Sequence, residues 1–111
     1  MNVLILGIGD AFTRRSFGSS ALIRAPGDPG GFVLIDCPDP IHRVLLEATT
    51  IAGEAWKADA SNIDDILLTH LHGDHCNGLE SFGFYRRVLR LRDPKMIRPR
   101  LHVTQPVAAR L

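Results

Sequence analysis

Ile66-Leu67-Leu68-Thr69-His70-Leu71-His72-Gly73-Asp74-His75 is an apolar run that ends in three histidines and an aspartate. The short apolar stretch Ile66 to Thr69, led in by polar Asn62 to Asp65, predicts a buried strand. In an extended chain residues i and i+2 point the same way, so His70 and His72 project together from the strand end. Gly73 permits a sharp reversal, after which Asp74 and His75 begin the next helix and aim back at the first pair. Imidazoles with a carboxylate suit Zn²⁺, with Mn²⁺ and Fe as the other candidate ions. One compact loop thus offers a donor pair to each of two adjacent metals. The rival reading is three unrelated surface histidines; Gly73 and Asp74 at their positions argue against it. Donors at the carboxyl end of a strand in an α/β sheet lie where such sheets bind what they act on. A divalent ion there brings the pKa of its bound water toward ~7, and a helix N-terminus favours hydroxide and phosphate.

Working outward, Asn2 to Ile8 and Ser19 to Arg24 read as short strands, and Phe32 to Asp36 as a third. Ala25 to Gly31 is a Pro- and Gly-rich turn that makes a hairpin of the second and third strands. Asp39 as N-cap and Pro40 at the first position open a helix. Its apolar face is Ile41, Val44, Leu45, Ala48, Ala52 and Ala55, and Gly53 weakens its end. Leu79, Phe82, Val88 and Leu89 suggest helical pieces interrupted by Gly78 and Gly83 and stopped at Asp93-Pro94. Leu101 to Thr104 is a last strand, and Pro106 opens a further helix. The expected order is β-β-β-α-β-α-β in a single α/β (α+β) unit, residues 1–111.

The chain has 111 residues, 45 % hydrophobic and 23 % charged, which excludes disordered and fibrous classes. No apolar run reaches membrane-spanning length and Met1-Asn2 lacks a signal peptide's basic flank, so the expected setting is cytoplasmic, away from membranes. The net charge of +1 hides an asymmetry. Residues 1–85 hold five basic side chains against eleven acids, whereas residues 86–111 hold eight against Asp93 alone. Such a segment either faces a polyanion or is a solvated helix face followed by an Arg-rich loop. Cys37 and Cys76 read as small apolar fillers rather than a disulfide pair.

The run His70-Leu71-His72-Gly73-Asp74-His75 resembles the HxHxDH signature of the metallo-β-lactamase-fold hydrolases. Gly78-Leu79 behind it resembles the ribonuclease Z and cyclic-phosphodiesterase branch. So does the opening Leu6-Gly7-Ile8-Gly9-Asp10-Ala11, Arg15, Ser19-Ser20 and Leu34-Ile35-Asp36-Cys37. The resemblance spans about residues 3 to 85. It implies the N-terminal half of a four-layer αββα sandwich, a mixed sheet with helices on one face. It implies two Zn ions per complete domain, His70 and His72 holding the first and Asp74 and His75 the second, with Asp74 also in acid/base work. Asp36 matches an acidic residue that supports the ligands from behind; read alone, it could equally be a turn residue before Pro38. The implied reaction is metal-dependent phosphodiester hydrolysis by a bridging hydroxide, on RNA or another phosphodiester. A Zn²⁺ site needs three or four ligands, and this chain supplies two per metal, so it is expected to be catalytically incomplete. His42 and His102 read as surface residues that do not repair the site.

Three rivals stand beside this. The chain could be a non-catalytic half-module that self-associates, a homo-oligomer burying the uncovered sheet face. It could hydrolyse thioesters or lactams on the same fold. A dinucleotide-binding turn at Gly7-Ile8-Gly9 is disfavoured because Phe12 takes the third glycine's place. Arg14 and Arg15 with Phe12 and Phe17 either contact nucleic acid or cover the sheet edge.

Overall fold

The computed structural model describes every residue except Ala25, Pro26, Asp28 and Pro29, so most of the expected hairpin turn lies outside the described residues. Five strands form one sheet in the order β1 (Val3–Gly7), β2 (Ser20–Arg24), β3 (Phe32–Ile35), β4 (Ile63–Leu67) and β5 (Arg100–His102). The β1/β2 and β2/β3 pairs are antiparallel, as the hairpin reading requires; β3/β4 and β4/β5 are parallel. Parallel neighbours need long crossovers. The helix α1 (Ile41–Ala52) fills the first, and α2 (Gly73–Cys76) with α3 (Leu79–Arg92) fills the second. A last short helix, α4 (Gln105–Ala108), follows β5.

Register explains which face the helices cover. Leu4, Leu22, Leu34, Ile66 and Leu101 are aligned across the five strands. Leu22 and Leu34 are completely buried in the same cluster as Ile41, Val44 and Leu45 of α1 and Phe82 of α3. The rows on either side stand on the other face by strand alternation, and there Val3, Ile5 and Leu67 are exposed. The expected mixed sheet with helices on one face is therefore the fold.

Several boundaries differ from the sequence reading. Strand β4 starts at Ile63, so Asp64 and Asp65 belong to it rather than to a lead-in. Both acids are paired: Asp64 takes an ion pair from Arg86, and Asp65 binds Arg100 through two 2.7 Å bonds. Helix α3 runs unbroken through Gly83, where an added Cβ would meet nothing within 4 Å. Pro40, not Asp39, caps α1, its carbonyl accepting from the amide of Val44 at 3.0 Å; Asp39 makes no cap bond. Gly53 ends that helix at φ 93°, a left-handed conformation suited to glycine. Among the described residues no helix is long and apolar enough to cross a membrane.

One buried cation ties the second crossover together. Arg86, 1 % exposed, donates to the carbonyls of Ala60 (2.7 Å), Ile63 (3.3 Å) and Ile97 (3.0 Å) besides pairing with Asp64. Truncation strands three carbonyls and a carboxylate, so Arg86→Ala is expected to cost about 3 kcal/mol. Arg86→Met, which keeps the apolar stem, should cost less; urea midpoints of the two variants check this. At the sheet edge the Arg100 guanidinium, then the His102 ring (2.7 Å), hold the Asp65 carboxyl down at about 2. A carboxyl with a lowered folded pKa contributes stability that is complete above its unfolded value and disappears as pH falls. Melting temperature should therefore drop between about pH 4 and pH 2, and Asp65→Asn should flatten that limb while leaving the profile above pH 5 parallel to the parent.

Candidate active site

The carboxyl ends of β3 and β4 meet where the two sequence motifs meet. Asp36, buried just past β3, has φ 56°, a left-handed backbone that aspartate tolerates better than most side chains. Its amide bonds the Leu67 carbonyl (2.9 Å) and its Oδ1 accepts from the amide of Thr69 (2.8 Å). The same carboxylate accepts the Thr69 hydroxyl, with Oδ2 at 2.8 Å, and Nδ1–H of His75, again on Oδ2 at 2.8 Å. A hydroxyl has one proton to give. With that proton directed at Asp36, Thr69 Oγ1 accepts from His70 Nδ1–H at 2.9 Å. In that arrangement both imidazoles turn Nδ1 toward their support and Nε2 away from it.

The rings gather around His70. Its centroid lies 4.7 Å from that of His72 and 4.1 Å from that of His75. Asp74 Oδ2 is 3.5 Å from His75 Nε2. His72 is exposed, whereas His70, Asp74 and His75 are half-buried. The four candidate donors therefore share one place, and Asp36 stands behind His75. In kind they suit a borderline divalent ion. In number they do not close a cage: among the described residues no three His, Cys, Asp or Glu side chains are grouped to hold one ion.

Two details depart from expectation. Gly73 is not in a left-handed conformation, and a Cβ there would meet only the movable amide of Asn77. The helix that follows is the single turn α2, too short for much dipole. The close approach is instead at Gly78, where a Cβ would stand 2.6 Å from the Pro38 carbonyl oxygen and 2.8 Å from that of Cys37. Gly78 N to Cys37 O and Cys37 N to His75 O, both 2.8 Å, sew the donor loop to the end of β3. Burial, with Asp39 and Asp36 adding, pushes the Cys37 thiol up to about 12, so it is a filler and not a nucleophile. His42 is exposed, its ring 5.1 Å from Tyr85, and His102 is on the edge strand; neither joins the site.

A cavity of about 790 Å³ opens beside the donors. His72, Gly73, Asp74 and Asn77 form one wall, and Asp10 to Thr13 with Ser16 to Gly18 form the other. Phe12 is 89 % exposed at its rim and Phe17 is half-buried. The Thr69 relay did not stand out in the sequence; of this wall Phe12 and Phe17 did, but as nucleic-acid contacts or sheet-edge cover rather than as part of the site. The hydroxyl directly before His70 was the available signal for the first.

A model of the family described as Anti-Pycsar protein Apyc1 matches residues 1–111. The chain belongs to the Apyc1 family. An anti-Pycsar protein Apyc1 of Saccharibacillus brassicae is 34 % identical over 99 residues, 89 % of this chain and 36 % of the relative. The same-named protein of Bacillus phage BSP38 is 32 % identical over 85 residues, 77 % of this chain and 29 % of the relative. The chain spans about a third of the length of the curated relatives it matches. Among solved structures, the short form of human tRNase Z superposes with a TM-score of 0.58 at 22 % identity, covering 93 % of this chain and 44 % of that one. That likeness carries the fold: a mixed α/β sheet with helices, of metallo-β-lactamase-like architecture.

The Apyc1 match corrects the functional reading drawn from the motif. A general metal-dependent hydrolase working on phosphodiesters by a bridging hydroxide gives way to a family named for opposing Pycsar, with relatives in bacteria and phages. The thioester or lactam hydrolase gives way with it. The resemblance of the HxHxDH loop could not separate these; the family match over residues 1–111 does.

The Asp36 geometry yields a test of its own. Asp36→Ala strands the Thr69 amide and places a Cβ-bearing residue with no polar compensation at positive φ. An expected loss of about 2–4 kcal/mol follows. Asp36→Asn keeps an acceptor and the backbone tolerance and should lose about half as much, read from paired urea titrations.

Proposed function

We propose that this chain supplies the donor-bearing part of an anti-Pycsar enzyme that degrades a cyclic nucleotide, in the cytoplasm where such a signal would act. The observation that carries the reading is the cavity: His72 and Asp74 stand on one side and the phenylalanines Phe12 and Phe17 on the other. A cyclic nucleotide has the same two parts, an anionic ring phosphate and a flat base. The phosphate belongs at the donor loop and the base against the exposed Phe12 ring, where stacking is worth about 1–3 kcal/mol. Family membership supports the substrate class.

In this reading His70 and His72, with Asp74 and His75, are the residues that would hold divalent ions, zinc first and manganese or iron otherwise. Such ions, when bound, supply stabilisation of charge developing at phosphorus. The chain's own residues do the positioning. Asp36 and Thr69 hold Nδ1 of His75 and His70 and leave each Nε2 as donor. Asp74, half-buried at the cavity wall, is placed to hold or move a proton near the substrate phosphate. Residues 1–111 form part of a domain that the longer relatives complete.

The test incubates 3′,5′-cyclic mononucleotides with the 111-residue chain and with any longer product of its reading frame, following linear nucleotide by chromatography. His70→Ala and Asp74→Ala should lower turnover by at least about 100-fold, and Phe12→Ala should raise KM by about tenfold with little change in kcat. Thr69→Val should weaken zinc retention on dialysis by about tenfold. A folded longer product that leaves every cyclic nucleotide intact in the presence of zinc or manganese would sink the proposal.

A further inference from the structure

The Arg-rich segment has no part in the site above, and the structure gives it a shape. Arg86, Arg87, Arg90, Arg98, Gly83 and Pro99 line a cleft of about 560 Å³ between α3 and the chain leading into β5. Arg86 forms its floor, with the guanidinium spent on interior carbonyls and Asp64. Arg90 is anchored by its Nε on the Met96 carbonyl (2.9 Å), which leaves its terminal nitrogens unspent. Arg87 and Arg98 are exposed, and among the described residues neither is ion-paired with a carboxylate.

A merely solvated helix face usually mixes signs along its length. Helix α3 instead has a single acid, Glu80 in its first turn, while Arg87, Arg90 and Arg92 crowd its second half. Apolar groups share the surface. Phe84 and Leu91 lie at i−3 and i+4 from Arg87, on its side of the helix, and are 70 % and 78 % exposed. Unpaired guanidiniums beside an exposed aromatic ring are the two elements with which proteins hold a single strand: cations follow the phosphates and the ring stacks on a base.

We infer that the Arg87–Arg90–Arg98 cleft, with Phe84 beside it, binds single-stranded nucleic acid independently of sequence. The inference does not depend on the cyclic-nucleotide reading, because none of these residues touches the donor loop or its cavity. Three arginines spread along one cleft favour a strand with several phosphates over one small anion. Arginine supplies forked contacts to phosphate that tolerate any base.

The test is fluorescence anisotropy of the full chain with a labelled mixed-sequence single strand of about 12 nucleotides, a length within the site sizes of such surfaces. Saturable binding is expected, with log K falling against log salt at a slope of about −2 for three phosphate contacts. Arg87→Glu/Arg98→Glu should weaken binding by at least about tenfold and flatten the slope by about 1. Arg14→Glu/Arg15→Glu, an equal charge change on another surface, should move binding by less than about twofold. Phe84→Ala should weaken binding by about tenfold with the slope unchanged. Far-UV circular dichroism checks each fold; if the reversed pair does not fold, Arg87→Gln/Arg98→Gln is measured in its place. Equal weakening by the two arginine pairs, no loss in Phe84→Ala, or displacement of the strand by inorganic phosphate as readily as by unlabelled strand would each overturn the inference.

Discussion

The Asp36 carboxylate is the constraint on which the candidate site depends. A buried carboxylate is tolerable only when its oxygens are fully engaged, and Asp36 spends them on the Thr69 amide, the Thr69 hydroxyl and His75 Nδ1. Each of those bonds also does something for the loop. The amide bond ends the parallel pairing of β3 and β4 in a defined register. The hydroxyl bond orients Thr69 so that it accepts from His70. The imidazole bond draws the loop after β4 back across the end of β3. Remove the carboxylate, and three separate features lose a common reference.

The sheet explains why that point is firm enough to carry such geometry. Strands β3 and β4 are the central parallel pair, buried on the helix side by Leu22, Leu34 and Ile66 and closed from beyond by Phe82. Helix α3 leaves directly from the donor loop and is bolted down two turns later by Arg86, whose guanidinium joins the chain entering β4 at Ala60 to the chain entering β5 at Ile97. Loop and helix therefore share a foundation at both ends. Gly78, with two carbonyl oxygens within 2.8 Å of where its Cβ would be, allows this closeness.

Much of this was legible in the sequence because alternation and spacing are local. The strand Leu34-Ile35 ending at Asp36, the hairpin, helix α1 and the donor run all announce themselves through apolar pattern and turn residues. What escaped depends on partners distant in the chain. Asp64 and Asp65 look like a polar lead-in until Arg86 and Arg100, more than twenty residues on, neutralise them within a strand. Gly83 looks like a helix break until the space around it proves empty and the flanking residues carry the helix through. Thr69 looks like an ordinary strand end until Asp36 and His70 are seen on either side of its hydroxyl. Asp39 looks like a cap because capping statistics favour it, yet the carbonyl that starts α1 is that of Pro40.

The same division accounts for the correction to function. Donor residues and their supports lie on β3, β4 and the turn between β4 and α3, where packing leaves little freedom. The opposite wall of the cavity is the 10–18 loop, which comes close to the donor side at Gly18, where a Cβ would fall 2.8 Å from the Asp74 carbonyl oxygen. Side chains such as Phe12, Thr13 and Ser16 can change without disturbing any donor. A motif confined to the rigid half therefore reports the chemistry a fold can host, and the loop that faces it can vary independently. The HxHxDH run could point to many hydrolases; the match that singles out one family extends over residues 1–111.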